Sequence, residues 1–403
     1  MKTVNWHTVL RILVVTFVIA QFSTFIAPYA QAKPEKIYVG VIGDFSGPYA
    51  PVVGPTKAGA EDAWKYINNE LGGVDGVKVI PLIADMAGKV DIGLSKYNEM
   101  VSMNPKPLFI DTFITPLAAA LRERYIEDEI VGFHPGAYDT LYPVGLSYSY
   151  YAMYPELLAM GLKYLKDNHK GDSPLRVGIL TWDTSYGRAI VIDQFYDYAK
   201  KIGVEIVDTQ LFGIREIDVL TQLMKLKSKK IDHIITNCTA SGPLTIKKGL
   251  KEMGWDIGVM NAAGGGWGTV RLAPELFEND LVVLPTRSFD EVDAPAIKTI
   301  MKYFKSNNRT KNEKSLFYLL AWQCAIMEYD ILTKIVKEKG WDAVNAKAID
   351  TVLRSGMEFS PLDMQTLKFT ETRRTPPFAR VYQVKSGKLL PMTDFLTVPD
   401  FQP

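Results

Sequence analysis

Residues 36–86 read KIYVGVIGDFSGPYAPVVGPTKAGAEDAWKYINNELGGVDGVKVIPLIADM. The opening KIYVGVIGDF (36–45) is an apolar, β-branched run ending in turn chemistry, the pattern of a buried strand. Over residues 54–71, Ala60, Ala63, Trp64, Ile67 and Leu71 fall on one stripe of a helix, and Gly72-Gly73 ends it. VKVIPLIADM (77–86) reads as a second strand. Strand, helix, strand with continuously apolar strands is the unit of a parallel sheet covered by helices on both faces.

The same alternation continues outward. A helix over 91–102, a strand over 107–113, a helix from Pro116 to Tyr125 and a strand over 129–134 complete a first series. The rhythm breaks at YPVGLSYSYYAMYPE (142–156), rich in Tyr and turn formers. A second series follows: helix 155–167, strand 176–182, helix 186–202, strand 204–212, helix 218–230 and strand 231–237. Helix 243–253 and strands 257–261 and 280–285 close it. Helices near 294–306, 315–338 and 342–355 precede a hairpin over 378–392 that turns at Ser386-Gly387. The expected fold class is α/β, with two doubly wound α/β lobes in tandem.

The chain has 403 residues, 47% hydrophobic and 23% charged, ample for two packed lobes. Its 46 Lys and Arg nearly cancel 45 Asp and Glu, so no global field recruits nucleic acid or an anionic membrane. The first 32 residues differ in kind: Lys2 and Arg11 precede the apolar ILVVTFVIA, and Ala30-Gln31-Ala32 offers small residues for cleavage. This reads as a secretory signal peptide removed after Ala32. The competing reading is an uncleaved membrane anchor, which Gln21, Ser23, Thr24 and Pro28 weaken. Cys238 and Cys324 are too few for a disulfide framework, and free buried thiols are expected.

Catalytic patterns are missing from the sequence. His134, His169 and His233 are far apart, without an HExxH pair, so neither zinc nor another metal is called for. No G-x-S-x-G elbow occurs. The glycine-rich AGGGWGTV (263–270) has no Lys-Ser/Thr after it, as a phosphate-cradling loop would. Gly264, Gly266 and Gly268 also come too late to be the dinucleotide fingerprint, which follows the first strand of its unit. No enzyme and no cofactor are expected.

The opening stretch resembles the branched-chain amino acid type periplasmic binding proteins, the receptors of ABC importers. Ser46-Gly47-Pro48, Gly59-Ala60, Ile67-Asn68, Gly72-Gly73-Val74-Asp75-Gly76 and Asp85 match that family's pattern in order, and a thinner similarity extends to about residue 390. The resemblance implies the type I periplasmic binding protein fold, two lobes joined by three crossings placed near 147–150, 285–289 and 355–361. Lobe 1 is then 33–147 plus 289–356, and lobe 2 is 148–288 plus 357–403. The two cysteines fall in different lobes. The disulfide that some members carry is absent, its matching positions lying near Met86 and at Ile114.

Carried over residue by residue, the ligand site is a partial match. Thr115, before the helix at Pro116, corresponds to a hydroxyl that binds the ligand carboxylate; by itself it also reads as a helix N-cap. His134 lies in the next segment, where backbone N–H groups of Ala137 and Tyr138 are candidate donors; a polar residue satisfied at a strand end is the other reading of His134. In lobe 2, Tyr186 of Tyr186-Gly187 corresponds to a ring facing the ligand, and Thr239 to a further cleft position. Ala263 occupies the place of the Glu that pairs with an α-ammonium, and an ammonium left there without an anion is costly. Asp183 is the one candidate substitute. Tyr49, Phe113, Phe133, Tyr138, Tyr150, Trp182, Tyr186 and Trp267 gather near the implied cleft, with core packing the alternative role for half of them.

These features imply a monomeric periplasmic receptor that carries a small carboxylate-bearing molecule to an ABC permease in the membrane. A flat or apolar acid fits better than a standard α-amino acid. An amino-acid receptor and a ligand-sensing regulatory module of the same fold stay open, and no nucleic-acid partner is expected.

Overall fold

The structure is a computed structural model, and it describes residues 33–239, 241–262, 270–271 and 273–401. The expected signal segment, Ala263 and Trp267 therefore lie outside the described residues. Strands β1 (Lys36–Gly43), β2 (Lys78–Asp85), β3 (Phe109–Thr112), β4 (Val131–His134) and β5 (Ser147–Ser149) form one sheet. Its order is β2-β1-β3-β4-β5, and every pairing is parallel. β6 (Leu175–Trp182), β7 (Val204–Phe212), β8 (His233–Thr236), β9 (Gly258–Asn261) and β10 (Leu281–Leu284) repeat the order as β7-β6-β8-β9-β10. β11 (Glu358–Phe359) and β12 (Leu367–Lys368) form a two-stranded ribbon apart from both sheets. The hairpin β13 (Phe378–Lys385) and β14 (Lys388–Pro391) then extends the second sheet antiparallel to β10, and β15 (Leu396–Thr397) pairs with β13. The fold is thus two doubly wound α/β units of the same strand order.

Local chemistry explains the elements. The helix Pro55–Glu70 starts on a proline, which suits a first turn. It ends where Gly72 and Gly73 take φ of 77° and 72°, and Gly73 N–H donates to Ile67 O. Its stripe buries Trp64 and Ile67 at 1% and 0% exposure, each adding about 1.5–3 kcal/mol of apolar burial. The long helix Leu316–Lys339 packs along it. They approach so closely at Gly59 that a Cβ there would stand 2.4 Å from Tyr318 O. The motif residues have equally local work. Asp85 accepts from Phe45 N–H, Ala87 N–H and the Ser46 hydroxyl, and Asp44 from Gly47 N–H and Tyr49 N–H, so two carboxylates shape the loop after β1.

Two elements differ from expectation. Residues 186–202 form two helices, Ser185–Arg188 and Asp193–Lys201, because Ile190-Val191-Ile192 is a β-branched run and Ile192 takes extended backbone. The Tyr-rich break at 142–156 conceals β5, too short and too polar to show an apolar run.

Three passages connect the sheets. The first follows Ser149, the second follows Leu284, and the third runs from Ser355 past the β11–β12 ribbon to β13. The third therefore continues well beyond the 355–361 crossing expected from the sequence. The passages are tied side by side: Ser149 N–H donates to Arg374 O, and Arg287 N–H to Met364 O. Adjacent arginines then reach in opposite directions. Arg373 pairs with buried Glu156 at the start of the helix Tyr154–Asp167 and with Asp400. Arg374 pairs with Asp350, its guanidinium 4.6 Å from the Tyr148 ring centroid.

Candidate functional site

In an open α/β sheet, ligands bind beyond the carboxyl ends of the strands where the strand order reverses. In the first sheet that point lies between β1 and β3, and in the second between β6 and β8. The loops leaving these four strands converge. A cavity of about 30 Å³ is lined by Tyr49 after β1, by Phe113, Ile114, Thr115 and Pro116 after β3, and by Tyr186 and Thr239 after β6 and β8. Val53, Tyr154 and Phe317 complete it. That volume is room for about two waters, and its lining residues come from loops of both units.

Rings and hydroxyls surround the cavity. Tyr49 meets Trp182 edge-on at 6.3 Å, Tyr154 meets Tyr186 edge-on at 4.9 Å, and Phe113 stacks on Tyr150 at 4.9 Å. Tyr151 OH donates to Tyr154 OH at 2.9 Å, and Tyr154 OH lies 3.3 Å from Thr115 Oγ1. This short relay joins the start of the Tyr154–Asp167 helix to that of Thr115–Glu127. Tyr186 OH is buried and has no hydrogen-bond partner among the described residues. Burial holds Tyr49, Tyr154 and Tyr186 above the ordinary phenol pKa, with a hydrogen bond from Thr184 partly offsetting this at Tyr49 and bonds from Thr115 and Tyr151 doing so at Tyr154. All three hydroxyls are therefore donors at neutral pH.

No Asp, Glu, Lys, Arg or His is among the described residues lining the cavity. Asp183, the candidate substitute for a missing Glu, is half-exposed and pairs with Arg188 at 2.5 Å. What the cavity offers is donor hydroxyls, the first turn of a 13-residue helix and apolar walls. A small molecule with one acceptor group and a flat or branched apolar body suits this set.

The residues singled out in the sequence fall into three groups. Tyr49, Thr115, Tyr186 and Thr239 line the cavity together, with Phe113, while Trp182 stands directly behind Tyr49 and Tyr186. His134, Ala137 and Tyr138 are not brought to it. His134 is fully buried with Nδ1 3.0 Å from Pro135 O, and burial pushes its pKa down to about 4. Ala137 N–H is directed to Pro135 O and the Thr140 hydroxyl, and Tyr138 is 41% exposed beside Tyr142. Among the other rings, Phe133 is core, between Phe109, Tyr148 and Phe369, whereas Tyr150 backs Phe113. Ala263 and Trp267 are outside the described residues.

With this geometry in place, comparison with known proteins identifies the family. The profile of the family described as "Periplasmic binding protein" matches residues 36–388. The chain belongs to the periplasmic binding protein family. This binding protein shares 24% identity over 253 residues with Leu/Ile/Val-binding protein homolog 7 of Brucella suis, covering 59% of this chain and 61% of that one. It shares 40% over 73 residues with Leu/Ile/Val-binding protein homolog 3 of Brucella melitensis, covering 18% and 20% respectively. The chain thus spans less than two thirds of the length of these curated relatives. A branched chain amino acid ABC transporter structure from Thermus thermophilus with bound valine superposes with TM-score 0.81 at 18% identity, covering 90% of this chain and 96% of that one. A fatty acid ABC transporter substrate-binding protein from Thermomonospora curvata gives 0.79 at 15%, covering 91% and 93%. Both share the type I fold with this chain, and the matched family is by its description one of binding proteins.

In this periplasmic binding protein, reading of the sequence missed Tyr154 and Phe317. Tyr154 did carry a signal, since it directly precedes the Pro-Glu that opens a helix, but it sat within a stretch read only as a break. Phe317 lies in an apolar helix and gives no sequence cue to its place at the cavity.

Both cysteines are free and buried. Among the described residues no group of His, Cys, Asp and Glu could hold a metal, and no helix is long and apolar enough to cross a membrane.

Proposed function

We propose that this protein is a periplasmic solute receptor of an ABC importer. Its lobes, divided near Ser149, Leu284 and the Ser355–Thr375 passage, close by hinge bending on a small carboxylate-bearing molecule and present it to a membrane permease. The ligand has a flat or apolar body and lacks an α-ammonium; aromatic acids are the leading class. The observation that carries this reading is a cavity between the units lined by hydroxyls, a helix start and rings, with no charged side chain among its described residues. The carboxylate would rest on Thr115 and the first turn of its helix, with Tyr154 and Tyr186 as further donors. The names of the relatives, binding proteins for Leu, Ile and Val or for fatty acid, support transport of small carboxylates in general. The mature protein acts as a monomer.

The test is a thermal-midpoint screen of the purified mature protein against organic acids and amino acids, since a ligand that binds only the folded form raises the midpoint. An acid series is expected to shift it. A broad panel that leaves it unmoved would remove the receptor reading, and shifts confined to α-amino acids would overturn the ligand class.

A further inference from the structure

Arg271 lies between β9 and β10, so its segment is held at both ends by the second sheet. Residues 307–318 belong to the other unit and are bound to its helix Pro55–Glu70. Arg309 pairs there with Asp62 at 2.7 Å and with Glu61 at 2.8 Å, while the Asn307 amide and the Tyr318 hydroxyl donate to Asp62 as well. Glu313 accepts from Thr310 N–H and so fixes the turn Lys311–Glu313. One guanidinium reaches across from the second unit to this turn. Arg271 Nη1 donates to Lys314 O at 2.7 Å and to Lys311 O at 3.1 Å.

The acceptors suit a bond that is made and broken. A carbonyl oxygen has two lone pairs, so Lys311 O takes the guanidinium while still accepting from Lys314 N–H. Neither acceptor carries a formal charge. Parting the units therefore returns half-buried Arg271 to water without stranding a buried anion, as loss of a carboxylate partner would.

The contact also leads to the cavity. Ser315 follows Lys314, and its hydroxyl donates to Val52 O and accepts from Phe317 N–H, each at 3.2 Å. Phe317 and Val53 line the cavity, and Val52 belongs to the short helix Ala50–Val53 that starts beside Tyr49. Arg271 is not among the described lining residues, so it acts on the site through Lys314 and Ser315. The inter-unit contacts at the cavity itself, Tyr49 with Trp182 and Tyr154 with Thr115, are between uncharged groups.

We propose that Arg271 is a latch between the two units and a positioning residue for the ligand site. Each separation of the units breaks its two bonds, and each closure remakes them at the start of the helix that carries Phe317. A bound molecule leaves only when the units part, so the latch sets how long the site stays covered. The inference rests on the hinge closure of the receptor reading and not on the ligand class.

Pulsed electron resonance on the ligand-free mature protein tests it. Nitroxides are placed on Lys57→Cys of the first unit and Lys248→Cys of the second; both lysines are exposed, and the native cysteines are buried. The inter-label distance of the bridged arrangement is expected beside a second distance from separated units. A hydrogen bond to a charged group is worth about tenfold or more in an equilibrium. Arg271→Met, which keeps an aliphatic stem and loses every donor, is expected to lower the ratio of bridged to separated protein by about that factor. Arg271→Lys, with one charged donor group, falls between, and Arg271→Gln replaces the methionine variant should that fail to fold. The unfolding midpoint is recorded for each protein. An arginine serving the fold alone would lower the midpoint and leave the distances as they are, and that result overturns the latch, as does any unchanged distance distribution in the methionine or glutamine variant. The ligand screen is a separate measurement: acids that fail to bind would remove the receptor reading, while the distances decide the latch.

Discussion

Tyr186→Phe separates the two roles of that side chain. Its ring is held by Tyr154 at 4.9 Å and by Trp182 at 6.5 Å, contacts a Phe ring keeps. Its hydroxyl is buried with no partner among the described residues. A buried hydroxyl left unpaired costs about 1–3 kcal/mol, so deleting it stabilises the ligand-free protein by a similar amount. At about 1.2 °C per kcal/mol for a chain of this size, the midpoint rises by about 1–4 °C. Binding moves the other way. If the hydroxyl donates to a ligand carboxylate, its loss costs about 1.5–3 kcal/mol, a ten- to hundredfold weaker Kd. Scanning calorimetry of the ligand-free protein and titration with the best acid of the series read the two effects separately. Stability and affinity falling together would refute the reasoning, because the hydroxyl would then serve the fold. Unchanged affinity would refute its place at the ligand.

Gly59→Ala is expected to lower stability by about 1–3 kcal/mol, because the new methyl would meet the Tyr318 backbone and push apart the two longest helices of the first unit; the unfolding midpoint measures it. Arg373→Met leaves the buried Glu156 carboxylate without its cation, a loss of about 3–5 kcal/mol at neutral pH. Burial already raises the Glu156 pKa against the pull of Arg373, so the deficit shrinks as pH falls and grows as it rises, which paired pH–stability curves test. His134, whose folded pKa is depressed to about 4, removes about 3 kcal/mol as pH falls from about 6.5 to 4. His134→Gln is expected to flatten that acid limb while leaving ligand affinity within about twofold, since His134 is not at the cavity.

The strand–helix alternation was legible because each element carries its own periodicity, and the unfavourable Cβ positions at Gly59 and Gly73 explain two motif glycines. The broken helix at 189–192 was legible in principle, since three β-branched residues in a row weaken a helix. β5 was not, because three residues of mixed polarity show no period. At the site, Thr115, Tyr186 and Thr239 come from the family resemblance and Tyr49 from the gathering of rings, and each follows a strand at a point where strand order reverses. Tyr154 and Phe317 enter the same cavity from helices whose role depends on how the three passages are threaded, which no local pattern states. His134 has the chemistry of a site residue but points into the core, and sequence alone does not tell the two faces of a strand end apart.

The central claim is that the cleft binds a carboxylate and has no use for an ammonium. Calorimetric titration with matched pairs tests it most directly: 3-phenylpropanoate against phenylalanine, and 4-methylpentanoate against leucine. Within each binding pair the account predicts the tighter Kd for the deaminated acid. A tighter Kd for the amino acid would contradict it.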